Sequence, residues 1–114
     1  MGSSQILFHQ VVKVMHQHLA PILGEPTLRV TLRASRRKVG RRFPLLLSLL
    51  LPGEQSPPMD PPNGEPSLEE MREALAEFLD HFERVVTDLT GEILHDRLRA
   101  LRREVEALTE GERE

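Results

Sequence analysis

Between Pro52 and Pro66, six prolines stand in fifteen residues, with Gly53, Asn63 and Gly64 among them. Each proline lacks a backbone N–H and holds φ near about −65°, so neither a continuous helix nor a central strand runs through this stretch. The chain is thereby divided into two segments of similar length, joined by a stiff spacer or surface loop. At 114 residues it fits one domain, 1–114, with its own core.

The two segments differ in charge. Up to Gly53, Lys13, Arg29, Arg33, Arg36, Arg37, Lys38, Arg41 and Arg42 face Glu25 alone, a net of +7. Residues 54–114 carry 17 acids and 7 arginines, a net of −10, which with the first half gives the overall −3. Such asymmetry points to contact between the halves, between subunits, or with an anionic partner.

Over residues 4–23, Leu7, Phe8, Val11, Val12, Met15, Leu19, Ile22 and Leu23 recur at steps of three and four, which predicts a helix with one apolar face. Pro21, Gly24 and Pro26 close it. From Thr27 to Ser35 the period changes to two: Leu28, Val30, Leu32 and Ala34 alternate with Thr27, Arg29, Thr31, Arg33 and Ser35. That alternation predicts a half-buried strand. Arg36 to Gly40 reads as its turn, with Gly40 supplying positive φ, and about Arg41 to Leu51 as a second strand; its apolar run also fits a short buried helix, and the preceding strand and Pro44 near its start favour an edge strand. Residues 27–51 are thus expected to form a basic β-hairpin.

Beyond the proline-rich loop of 52–66, Ser67 and Glu70 have capping-box spacing and start a helical segment expected over 67–110. Leu68, Met71, Leu75, Phe78, Phe82, Val85 and Leu89 step alternately by three and four, the seam of a helix packed lengthwise on another. The phase slips at Thr90-Gly91, and Leu94, Leu98, Leu101, Val105 and Leu108 resume it. The segment is therefore one long kinked helix or two. The expected fold class is α+β: N-terminal helix, antiparallel β-hairpin, Pro-rich loop, then the C-terminal helical segment.

The chemistry on offer is narrow. Without cysteine there is no disulfide, thiol nucleophile or thiolate zinc site. His9, His16, His18, His81 and His95 include no His-x-x-x-His pair, so no metal site is assigned. His95-Asp96 could orient an imidazole, but no Ser lies in a Gly-x-Ser-x-Gly elbow. Glu69, Glu70, Glu73, Glu77, Asp80 and Glu83 largely avoid the seam and read as a solvated face favoured by the helix dipole. No catalytic residue and no cofactor is assigned. Pro58 and Pro61 form one Pro-x-x-Pro register, read as part of the spacer.

The sharpest feature is the cluster Arg29, Arg33, Arg36, Arg37, Lys38, Arg41 and Arg42, a candidate surface for an anion or partner. The lack of Trp and Tyr argues against stacking on single-stranded nucleic acid. The longest apolar run, Phe43–Leu51, is too short to span a membrane and contains Pro44 and Ser48. The expectation is a cytoplasmic, non-enzymatic regulatory or adaptor protein that binds another protein. Surplus apolar surface, the 68–89 seam above all, suggests that it also binds a second copy of itself as a homodimer. The alternative is a nucleic-acid-binding protein in which the arginine-rich hairpin contacts phosphates.

Overall fold

The computed structural model describes residues 3–59 and 66–111, and every regular element among them is helical. The α+β expectation is corrected: among the described residues there is no strand, and the β-hairpin of 27–51 is replaced by a helix and a short 3₁₀ turn.

Helix α1, Ser3–Leu23, buries Leu7, Phe8, Val11, Val12, Met15 and Leu19 on one face. Pro21 lies in its last turn, and Gly24 ends it at φ 85°, a conformation that costs glycine little. The Gly24 N–H still donates to Ala20 O at 2.9 Å, while its carbonyl accepts from Leu28 N at 3.0 Å. One residue therefore closes α1 and opens the next helix. Pro26 sits in the first turn of that helix, where a missing N–H removes no helical bond.

Helix α2, Glu25–Gly40, occupies the stretch whose alternation predicts a strand. Its buried residues are Leu28, Thr31, Leu32, Ser35, Arg36, Val39 and Gly40, which repeat at helical period. The alternating apolar residues are in fact two i,i+4 pairs on opposite faces. Leu28 and Leu32 point inward, whereas Val30 is 64% exposed and Ala34 is also exposed. The inner face is completed by polar residues. Thr31 satisfies its hydroxyl by donating to Thr27 O at 2.8 Å, within the helix.

Gly40 has no positive φ and makes no hairpin turn. A Cβ there would lie 2.5 Å from Leu47 Cδ2, so its lack of a side chain lets the following segment close onto α2.

That segment replaces the second expected strand. Pro44–Ser48 forms a 3₁₀ turn, followed by extended chain, and Leu46, Leu49 and Leu51 seal the core. The backbone of Leu50 makes the two hydrogen bonds that a neighbouring strand would make, but to the side chain of Gln5 in α1. Leu50 N donates to Gln5 Oε1 at 2.8 Å, and Gln5 Nε2 donates to Leu50 O at 3.0 Å. Residues 44–59 act as a strap, tied again where Met59 N donates to Leu47 O at 3.0 Å.

Helix α3, Leu68–Thr90, starts where Ser67 Oγ accepts from Glu70 N at 3.1 Å. It ends at Gly91, φ 69°; Gly91–Leu94 turns as a 3₁₀ element, and helix α4, His95–Gly111, follows. The segment after Ser67 is thus two helices. Helix α1 packs on α2 and α4, and α3 packs on α2 and α4, so the four helices close a ring. Phe8 and Phe78 meet edge to face at 5.6 Å inside it.

Candidate functional site

Because residues 25–40 are helical, the basic cluster is arranged differently from a strand face. Arg36 is withdrawn from it altogether. Only 5% exposed, it donates to both carboxylate oxygens of Glu54, one at 2.7 Å, and to Leu49 O at 2.9 Å. Glu54 Oε1 also accepts from Leu51 N at 2.8 Å. The hydrogen bond from Arg36 holds the Glu54 carboxyl below its ordinary range; burial pushes the other way, and the Leu51 N–H and the charges of Arg36 and Arg33 add to the lowering. Arg36 is thus a clamp between α2 and the strap.

Arg29, Arg33, Arg37, Lys38, Arg41 and Arg42 remain exposed. Arg33, Arg37 and Arg41 follow one another at steps of four, which spaces them by about 6 Å along the outer face of α2. With Lys38, Val30 and Ala34 they line one wall of a groove of about 490 Å³ whose other wall includes His81 of α3. Among the described residues no carboxylate lines this groove, and Arg33, Arg37, Lys38 and Arg41 make no ion pair. Arg29 lies off this row, on the flank of α2 toward α1. Arg42 contacts Glu77 at 3.3 Å and sits 5.6 Å from the centre of the Phe43 ring.

The acidic face of α3 does not neutralise the basic row. Its Asp80 and Glu83 are taken by Arg102 of α4, at 2.6 and 2.9 Å. Burial works against the charged guanidinium of Arg102, but the bonds to Glu83 and Asp80 prevail and raise its pKa. Among the described residues no ion pair joins α2 itself to α3; Arg42, two residues past the end of α2, reaches Glu77.

The seam residues have another fate. Met71, Leu75, Phe78 and Phe82 are buried in this chain's own core, Leu68 and Val85 are half-buried, and Leu89 is 63% exposed. Ala74, Leu79 and Val86 are buried beside them, which widens a narrow seam into the broad stripe of a helix in a globular core. The large exposed apolar side chains include Ile22 and Ile93, the latter 87% exposed, which share a notch with Leu94 at the junction of α1 and α4.

Among the described residues no three His, Asp or Glu side chains converge as a metal site would require. His18 pairs with Glu104 at 2.7 Å across α1 and α4, and His95 and Asp96 are both exposed at the start of α4. The Pro58 to Pro61 register falls partly outside the described residues. No described helix is long and apolar enough to cross a membrane.

Three participants escape a linear reading. Glu54, Gln5 and His81 acquire their roles from residues 18 or more positions away, and nothing in their local sequence marks them. No known protein family, curated protein or solved structure matches this chain.

Proposed function

We propose that this chain is a non-enzymatic regulatory or adaptor protein that binds an acidic segment of another protein along the outer face of α2. One observation carries the reading: Arg33, Arg37, Lys38 and Arg41 line a groove with His81 and, among the described residues, no carboxylate. Four cations held this close repel one another, and an anionic partner relieves that repulsion while steering encounter.

A protein segment suits the groove better than a nucleic-acid backbone. Val30 and Ala34 lie exposed within the basic row, offering apolar contact that a run of phosphates cannot use. Glu77 of α3 lies beside Arg42 at the end of the row, and a long duplex would meet it. The groove also contains no Phe for base stacking.

The test compares an acidic peptide with an apolar centre against a DNA duplex of equal charge, by fluorescence anisotropy between about 50 and 200 mM salt. The peptide should bind more tightly, and the double change Arg33→Glu, Arg37→Glu should weaken it by about tenfold or more with the melting temperature unchanged. Tighter duplex binding with a steep salt slope would transfer the row to nucleic acid. Absence of binding to either would remove the proposal.

A homodimer belongs to the same proposal, on a different surface. Ile22 and Ile93 are the exposed apolar pair suited to it, and light scattering on Ile93→Glu against the unaltered chain decides it by mass.

A further inference from the structure

A second basic groove lies on the opposite flank of α2, and nothing in the proposed partner binding uses it. His9, Lys13 and His16 stand at steps of four and three on α1, so they share one face and form a row about 10.5 Å long. Arg29 of α2 faces the same groove, whose volume is about 620 Å³. Its floor and far wall are apolar: Leu32 from α2, with Leu51 and Pro52 from the strap. Glu25 is the one carboxylate among the described lining residues.

The far wall is a fixed structure. Glu54 N donates to Leu51 O at 3.1 Å, closing a tight turn over Pro52 and Gly53, and Gly53 takes φ 90° there. Pro before a positive-φ Gly is the composition of a type II turn. The Glu54 carboxylate then ties this turn to Arg36 and to Leu51 N, while Gln5 holds Leu50 next door. Partly buried bonds from two helices therefore set the distance between the apolar wall and the basic row.

We infer that this groove binds a small phosphate ester with an apolar body. Lys13 and Arg29 make no ion pair among the described residues, so their N–H donors are open to an anion. His9 and His16 add ring N–H donors on either side of Lys13. A phosphate ester, with three terminal oxygens and up to two negative charges, has enough acceptors to meet donors from two helices at once. The apolar floor then takes the organic part, and the volume lies within the usual range for a small-molecule site. Carboxylate ligands have fewer acceptors and leave part of the row unfilled.

Phenyl phosphate and inorganic phosphate are the probes, titrated into the whole chain while the backbone amide and His9 and His16 ring signals are followed by NMR. Phenyl phosphate should bind about tenfold more tightly than inorganic phosphate, because its ring leaves water against Leu32, Leu51 and Pro52. Lys13→Glu and Arg29→Glu should each weaken it by about tenfold or more, with unchanged melting temperatures, and Glu25→Gln should tighten it. Arg37→Glu with Arg41→Glu, which alters the other groove, should leave it unchanged. Equal affinity for the two probes would overturn the inference, as would indifference to Lys13→Glu and Arg29→Glu, or signal changes spread evenly over all exposed arginines. Loss of peptide binding at the outer face of α2 has no bearing on these outcomes, since the two sites share no lining residue.

Discussion

Helices α2 and α3 pack against each other, yet their inner faces are built on different principles. The inner face of α3 consists of Met71, Ala74, Leu75, Phe78, Leu79, Phe82 and Val86, all apolar. The inner face of α2 includes Thr31, Ser35 and Arg36 among its buried residues. Apolar burial is non-directional and gives α3 a stable face against any neighbour of suitable shape. A buried guanidinium is tolerated only where a partner waits, and for Arg36 that partner is 18 residues away in the strap. The difference teaches that α3 is held by its composition and α2 by its context. The strap is as much a part of α2 as its own hydrogen bonds.

The comparison breaks first at the aromatic contact. Phe78→Ala should cost about 3–5 kcal/mol in chemical denaturation, since it opens a cavity where Phe8 and Phe78 meet. A cost below about 1 kcal/mol would mean that α3 is not anchored by its apolar face.

Removing the clamp is the matching change in α2. Arg36→Ala should cost about 3 kcal/mol or more, because Glu54 is left nearly buried without its cation. The acid response sharpens this. The Glu54 carboxyl is lowered from its ordinary 4.5 by folding, so its stabilisation is complete above that value and is lost as pH falls through the folded value below it. In Arg36→Ala the acid limb of stability below about pH 4.5 should therefore flatten. An unchanged limb would separate Glu54 from the clamp.

The smallest effect has the opposite sign. Ser35 Oγ is buried with no hydrogen-bond partner among the described residues. Ser35→Ala should raise stability by about 1 kcal/mol, through removal of an unsatisfied hydroxyl and better helix propensity. A loss of stability would point to a water-mediated bond there.

The same contrast explains what was legible. In α1 and α3 the helical period stands in the apolar residues themselves, so Leu7 to Leu19 and Met71 to Phe82 are readable as core. In α2, three of the seven buried residues are polar, and the apolar positions from Leu28 to Ala34 alternate by accident. Leu28 and Leu32 lie inside, Val30 and Ala34 outside, and period two is indistinguishable from two pairs at period four over eight residues. Of the candidate basic site, Arg33, Arg37, Lys38 and Arg41 were readable as a cluster, but not the burial of Arg36 or the arrival of His81. Distant partners decide those two positions, and local period carries no information about them.

By itself, the amino-acid order determined the close of α1, the start of α3 and the break at Gly91. Gly24 and Gly91 act through their own backbone and Ser67 through a hydroxyl that caps its neighbour Glu70, and the α1, α3 and α4 stripes follow from hydrophobic spacing. The separation of charge between the halves is likewise a property of the sequence. Only tertiary structure decided that residues 25–40 coil rather than extend, that Gln5 and Arg36 hold the strap, and that Asp80 and Glu83 turn to Arg102 and leave the α2 arginines open. The physical reason is one of range: hydrogen bonds inside a turn or helix end involve neighbours, whereas the cost of burying a charge depends on which distant group arrives beside it.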